Sequence, residues 1–203
     1  MNWIAVVRRL QAIAQTGLAY SRDPYDIGRF HALQEVTAEI AAATSDSAAD
    51  EAAAIFSLEK GYATPKVDVR GVVFDAGRIL LVRERTDGLW SVPGGWADIG
   101  ETPGECAAKE VREESGYIVR PTKLLAVLDR DRHDHPPMLW HVYKIFIRCE
   151  VVGRDAPSPL ETDAAEFFGR DQLPPLSTSR VTADEIAQLF RHLDDPSLPA
   201  DFD

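Results

Sequence analysis

Residues 95–117 read GWADIGETPGECAAKEVREESGY, and this stretch decides the fold of the chain around it. Thr102 is a residue type that caps helix N-termini, a proline follows at the first helical position, and Glu105 comes three residues after the cap. Gly116 is the residue type that ends helices. The pattern therefore predicts a capped helix over residues 103–115, entered from a glycine-rich turn.

Three glutamates crowd this predicted helix: Glu110, Glu113 and Glu114. Their spacings of three and four place the side chains on overlapping parts of one face, where like charges repel. Burying such a cluster is unfavourable unless cations lie among the carboxylates, and an oxygen-only ligand set favours Mg²⁺ or Mn²⁺. A solvated acidic face, relieved by Lys109 and Arg112, is the alternative interpretation.

The chain before residue 60 has the periodicity of helices. Apolar residues recur every three or four positions, and Asp23-Pro24 is typical of the start of a second helix. A turn is predicted at residues 44–47, and a third helix over about 52–58, which Gly61 would end. These segments predict a small helical module at the N-terminus.

After Thr64-Pro65 the hydrophobic pattern changes to a period of two, which indicates strands. Asp75-Ala76-Gly77 is typical of a hairpin turn. Strand-like segments follow at 67–73, 79–82, 124–128, 141–151 and 166–168, with a polar loop at 129–137 and a closing helix at 182–193. The prediction is an α+β protein with a helical module over residues 1–62 and a larger domain over residues 63–203.

Composition excludes several classes of function. The 203 residues carry a net charge of −11, whereas proteins that bind duplex nucleic acid through its phosphates are expected to be basic. Cys106 and Cys149 form no CxxC pair, which argues against a thiolate zinc site and agrees with free thiols in a reducing cytoplasm. No apolar run approaches the roughly 20 residues of a membrane span. We therefore expect a cytoplasmic protein, and its negative charge does not exclude a small anionic substrate, provided that metal ions supply positive charge locally.

The quoted stretch resembles the signature of the Nudix hydrolases: Gly, five residues, Glu, seven residues, Arg-Glu, an aliphatic residue, any residue, Glu-Glu, any residue, Gly and an aliphatic residue. The matching positions are Gly95, Glu101, Glu110, Val111, Glu113, Glu114 and Gly116. Lys109 replaces the arginine, and Tyr117 replaces the last aliphatic residue. Because lysine lacks the fork of guanidinium donors, we expect Lys109 to orient a glutamate less rigidly.

Three parts of the chain are similar to the Nudix subgroup that includes CDP-choline pyrophosphatase. They are the N-terminal helices, GYATPKVDVRGVVF at residues 61–74 and LLAVLDRDRHDHPP at residues 124–137. The resemblance implies a mixed β-sheet sandwiched between helices, and a helical module that supports a homodimer. It also implies hydrolysis, with Mg²⁺ or Mn²⁺, of the pyrophosphate bond of a nucleoside diphosphate linked to another group. CDP-choline, cleaved to CMP and phosphocholine, is the implied substrate. ADP-ribose, trimming of RNA 3′-ends and nucleotide sensing without catalysis are the alternatives.

The resemblance assigns roles to individual residues. The general base is either Glu113 or Glu114, or a carboxylate of a later loop, Glu161 or Glu166. Glu101 either orients its neighbours or binds metal through water. The implied metal ligands are the side chains of Glu110, Glu113, Glu114 and Glu101 and the main-chain carbonyl of Gly94.

Candidate substrate contacts lie outside the signature. Arg83, on a predicted strand, is either a phosphate contact or half of a surface ion pair. The polar loop supplies Arg130, His133 and His135, which either contact phosphate or are solvated loop residues. Tyr20 could stack on a nucleobase, although an aromatic residue near a helix end more often packs.

Overall fold

The computed structural model describes residues 2–44, 56, 59–155 and 161–203. The chain forms two compact units, one of residues 1–65 with 137–141, the other of residues 66–136 with 142–203. Within the described residues, no helix is both long enough and apolar enough to cross a membrane.

The first unit contains helices α1 (Trp3–Tyr20) and α2 (Pro24–Thr44). The side chain of Asp23 accepts hydrogen bonds from the backbone N–H groups of Tyr25 and Asp26, so it caps α2 as the sequence predicts. The core between the helices consists of Val7, Ala38, Ala41 and Phe56. The predicted turn after α2 and the third helix lie outside the described residues, except Thr44, which ends α2, and Phe56, which is helical.

The second unit is built on a mixed sheet. Its described strands follow the order β3-β2-β1-β6-β5-β8, with β4 paired to β1 and β7 to β2. Strand β1 pairs antiparallel with β2 and parallel with β6. The strands are β1 (Lys66–Asp75), β2 (Arg78–Glu84), β3 (Trp90–Ser91), β4 (Gly94–Trp96), β5 (Tyr117–Asp129), β6 (Val142–Arg154), β7 (Thr162–Phe168) and β8 (Asp201–Phe202).

Helices cover both faces of this sheet, α3 (Pro103–Ser115) on one and α4 (Ala183–Asp194) on the other. Val69 and Val73 of β1 pack in the cluster that includes Val111 of α3, whereas Val72 packs in the cluster that includes α4. The predicted sandwich of a mixed sheet between helices is therefore confirmed.

Local signals in the sequence set the bounds of these elements. Thr102 and Glu105 form the predicted capping box of α3, and Gly116, at φ 75°, ends the helix in the left-handed region. Ala76 and Gly77 have φ values of 46° and 77°, which makes the β1–β2 connection a hairpin turn as predicted. The polar loop differs from the prediction by starting with a 3₁₀ turn at Arg130–Arg132.

Candidate active site

The end of α3 meets the glycine turn before β4. The Glu114 carboxylate is buried, and its Oε2 accepts a hydrogen bond of 2.9 Å from the Gly94 N–H. Gly94 has φ +148°, and a Cβ there would lie 2.1 Å from the Val69 carbonyl oxygen, so the turn requires glycine. A Cβ at Gly95 would lie 3.4 Å from Glu110 Oε2. The turn thus lies close to both carboxylates.

The positive charges near Glu110 and Glu114 do not offset the cost of burying these two carboxylates. Burial raises the pKa of Glu114 to about 8, although Arg70 opposes the shift. Burial also raises the pKa of Glu110, Lys109 opposes that shift, and the charges of Glu113 and Glu161 add to it. Ionising the buried Glu114 and the half-buried Glu110 together therefore calls for a further cation.

A divalent cation fits this donor set. The groups available beside the turn are carboxylate and main-chain oxygens, which hard cations such as Mg²⁺ and Mn²⁺ prefer over the nitrogen and sulfur ligands of zinc. Glu113 is exposed on α3 immediately before Glu114, and its charge acts on Glu110. Glu110, Glu113, Glu114 and the Gly94 carbonyl are thus suited to hold the ion.

Lys109 organises the acidic residues next to this cluster. Its Nζ lies 2.8 Å from Asp98 Oδ2, 3.0 Å from Glu101 Oε2 and 3.7 Å from Glu110 Oε1. Glu101 is therefore engaged in an ion pair with lysine at the position where the signature has arginine. This contact supports the orienting role of Glu101 over the role of a ligand.

Of the two loop carboxylates proposed as bases, Glu161 is the one whose charge acts on the cluster. It raises the pKa of Glu110, and the hydroxyl of the next residue, Thr162, donates a hydrogen bond of 2.8 Å to the Glu114 carbonyl. Glu166 instead lies opposite Leu81 in the β2–β7 pairing and interacts with Arg83. The geometry favours Glu161 of this pair.

Arg83 forms an ion pair in the structure. Its Nε lies 2.6 Å from Asp163 Oδ1, and the side chains of both residues are more than a third exposed. The guanidinium also lies 5.9 Å from the centre of the Trp90 ring. The surface ion pair, which was the alternative to a phosphate contact, therefore describes Arg83 in this state. Tyr20 is exposed at the end of α1, in the first unit.

The three predicted contacts of the polar loop make internal contacts of the second unit. Arg130 is buried and donates to the Ser179 carbonyl at 3.3 Å. His135 Nε2 lies 3.0 Å from Glu185 Oε1, with both side chains fully buried, whereas His133 pairs with Asp203 at 3.2 Å. Arg130 and His135 are therefore not solvated loop residues, because helix α4 and the segment before it cover them.

The sequence interpretation passed over four buried charged residues beside the turn: Asp68, Arg70, Glu84 and Lys144. The Glu84 carboxylate accepts a hydrogen bond of 2.8 Å from the Ser91 hydroxyl and acts electrostatically on Glu114. A sequence signal existed, since Asp68 and Arg70 interrupt an apolar strand at alternate positions. The alternation is typical of a half-exposed strand, whereas the structure buries both side chains in contact with Lys144 of β6 and the Val92 carbonyl.

Comparison with known proteins identifies the family of the chain. The family model described as the NUDIX domain matches residues 64–190. The chain belongs to the Nudix family. A second model, described as a UDP-X-like, N-terminal oligomerisation domain, matches residues 1–56.

Several Nudix relatives extend over most of this chain. A Bacillus subtilis protein named putative ADP-ribose pyrophosphatase YjhB is 46% identical over 202 residues, which is 100% of this chain and 97% of the relative. The crystal structure of a UDP-X diphosphatase has a TM-score of 0.65 and 30% identity, and the match covers 100% of this chain and 98% of that one. An ADP-ribose pyrophosphatase from Streptococcus suis has a TM-score of 0.63 and 38% identity, covering 69% of this chain and 100% of that one.

The protein is therefore a Nudix hydrolase, an enzyme that hydrolyses acid anhydrides at pyrophosphate bonds. The description of the N-terminal model suggests oligomerisation through that region. The names of these relatives give ADP-ribose and UDP-X, and not CDP-choline, as substrates.

Proposed function

We propose that this Nudix hydrolase cleaves the pyrophosphate bond of a nucleoside diphosphate linked to a second group, with a divalent cation held by Glu110, Glu113, Glu114 and the Gly94 carbonyl. One observation carries the proposal: the buried Glu114 carboxylate and the half-buried Glu110 carboxylate lie beside a turn that only glycine fits, and burial opposes the charged form of both. When bound there, a divalent cation supplies Lewis acidity and neutralises charge on the diphosphate.

The residues of the chain do the remaining work. The Gly94 N–H holds one carboxylate oxygen of Glu114 in place, and Lys109 orients Glu101 and Glu110 through contacts of 3.0 and 3.7 Å. The exposed carboxylate of Glu161 accepts the proton of the attacking water, and Glu113 is the alternative base where it is not committed to the ion. Hydrolysis then releases a nucleoside monophosphate and the phosphorylated second group.

ADP-ribose is the substrate we place first, giving AMP and ribose 5-phosphate. The B. subtilis relative that spans the whole chain and the S. suis structure both carry that activity in their names. CDP-choline is the second candidate, supported by the resemblance of the N-terminal helices and of residues 61–74 and 124–137 to that subgroup. The structure named UDP-X diphosphatase also matches this chain over its full length, so a UDP-sugar should be included among the substrates tested.

The helical unit adds a proposal about assembly. We propose a homodimer formed through residues 1–56, supported by the description of the matching family model as an oligomerisation domain. Light scattering after size-exclusion chromatography would give twice the monomer mass of 22.4 kDa. A monomer at micromolar concentration would contradict the homodimer and leave the hydrolase proposal intact.

A substrate panel tests the catalytic proposal. Purified protein is incubated with ADP-ribose, CDP-choline, UDP-glucose or a short RNA, in Mg²⁺ or Mn²⁺, and products are identified by mass. Glu114→Gln should lower kcat by at least about 100-fold because it removes a ligand charge. The matched control is Glu150→Gln, an exposed acid that pairs with Arg120 on the sheet, and it should keep full activity. A fully active Glu114→Gln protein would refute the site, and no turnover of any substrate would favour nucleotide sensing.

A further inference from the structure

Beneath the glycine turn lies a buried set of charges that the proposed chemistry does not use. Asp68, Arg70 and Lys144 are 6%, 5% and 1% exposed. Arg70 directs its Nε and Nη2 at the Asp68 carboxylate, with contacts of 2.8 to 3.1 Å. Lys144 Nζ, from the neighbouring strand β6, lies 3.1 Å from Asp68 Oδ2. The guanidinium is therefore held in one orientation by a carboxylate that is itself held by a lysine.

The third guanidinium nitrogen of Arg70 contacts the turn. Its Nη1 donates a hydrogen bond of 3.0 Å to the Val92 carbonyl, two residues before Gly94. Arg70 also faces Gly94 directly in the antiparallel pairing of β1 with β4. On the other side, the Gly94 N–H donates to Glu114. The turn that carries the proposed main-chain ligand is thus attached to Arg70 on one side and to the glutamate helix on the other.

Stability alone does not account for this arrangement. Replacing buried ion pairs by well-packed apolar residues is often neutral or stabilising, because burying charges is costly. The flanking positions of β1 show the apolar solution, since Val69, Val72 and Val73 are fully buried. An apolar side chain has no hydrogen-bond donors and so cannot orient its neighbours. The planar guanidinium group of Arg70 donates in fixed directions, and this fixes the Asp68 carboxylate and the Val92 carbonyl relative to each other.

We propose that Arg70 is a positioning residue for the metal-binding turn: held by Asp68 and Lys144, it fixes the backbone of residues 92–94 relative to Glu114. This inference rests on the proposed function, because it assigns a role toward the same cation. Arg70 acts through the turn and touches neither substrate nor the reacting atoms.

The test measures binding of Mn²⁺ alone, by electron paramagnetic resonance, and then kcat and KM at saturating Mn²⁺. Arg70→Met should weaken Mn²⁺ affinity by about 10- to 100-fold, the range for residues that orient metal ligands. At saturating Mn²⁺, kcat should fall while KM for the nucleotide changes by less than about threefold, because the nucleotide contacts remain. Arg70→Lys should be intermediate, since an ammonium keeps the charge without the fork.

Two controls separate positioning from general stability. Arg120→Met removes an exposed arginine that pairs with Glu150 on the sheet and should leave Mn²⁺ affinity unchanged. Leu189→Ala removes core volume beside α4 and should lower the melting temperature without changing Mn²⁺ affinity. A loss of Mn²⁺ affinity in Leu189→Ala equal to that in Arg70→Met would mean that Arg70 acts through stability alone.

Mn²⁺ binding by the wild type distinguishes a failure of the proposed metal site from a failure of the role assigned to Arg70. Wild-type protein that binds no Mn²⁺ would overturn the proposed metal site and this inference with it. Wild-type binding with equal affinity in Arg70→Met would overturn the inference alone. Arg70→Met leaves Asp68 paired with Lys144, which favours folding. If it still fails to fold, Asp68→Asn replaces it in the test: weaker Mn²⁺ binding supports positioning, and unchanged binding overturns it.

Discussion

Replacing Glu114 by glutamine in the metal-free protein should abolish a pH dependence of stability. The carboxyl group has a pKa of about 8 in the folded protein against an ordinary value of 4.5, because burial disfavours its charged form. The folded state therefore binds the proton more tightly than the unfolded state does. This contribution to stability is fully present below pH 4.5 and is lost as the pH rises through about 8.

The size of the effect follows from the same numbers. Each pH unit between 4.5 and about 8 changes the free energy of unfolding by about 1.4 kcal/mol, which amounts to about 5 kcal/mol over the interval. Glutamine keeps the shape and can accept the Gly94 hydrogen bond, but it has no charge to bury. In EDTA, Glu114→Gln should therefore be more stable than the wild type at pH 9, and the two should be similar at pH 4.5.

Urea denaturation at pH 4.5, 6, 7.5 and 9 gives the free energies of unfolding. The matched control is Glu113→Gln, the exposed neighbour on α3, which should keep the wild-type pH dependence. Adding Mg²⁺ at pH 9 should stabilise the wild type more than Glu114→Gln, since the variant lacks one of the three charged ligands. Parallel pH profiles for wild type and Glu114→Gln would refute the burial argument.

Two further predictions concern Lys109 and the first unit. Lys109→Ala should lower kcat/KM by about 10- to 100-fold, because it releases the carboxylates that Lys109 orients. Lys109→Arg should retain activity. Equal kcat/KM for the wild type and Lys109→Ala would contradict the orienting role. Gly17→Ala places a Cβ 2.4 Å from the Phe30 ring and should destabilise the protein by about 1–3 kcal/mol. A Cβ at Gly28 would have no atom within 4 Å, so Gly28→Ala should stabilise α2 by about 0.5–1 kcal/mol. Thermal unfolding measures both effects. A melting temperature that rises in both glycine variants would show that the two helices do not approach as closely as the structure has them.

Much of the fold was predictable because the signals that define it are local. The capping box at Thr102, the left-handed stop at Gly116 and the hairpin at residues 75–77 depend on residues within one turn of each other, and all are present in the structure. The sandwich of a mixed sheet between helices followed from the resemblance to the Nudix family. The short strands β3, β4 and β8 were not predicted, because two or three residues carry no periodicity.

For the site, the sequence by itself determined which carboxylates share a helix, since a spacing of three or four residues implies one face. It did not determine which of them is buried. Glu114 is buried against the Gly94 turn and Glu113 is exposed, although they are adjacent in the chain. The difference in burial depends on the side from which the Gly94 turn packs against α3. That packing is a tertiary contact, which the local sequence does not specify.

Only the tertiary structure decided the role of the charged residues outside the signature. Asp68 and Arg70 occupy the alternating polar positions of a strand, a pattern typical of a solvated face. They are buried because the turn that carries Val92 contacts Arg70 and because the parallel neighbour β6 brings Lys144 beside them. Pairing between strands that are far apart in sequence is set by the packing of the whole sheet, so no local pattern specifies which side chains will meet.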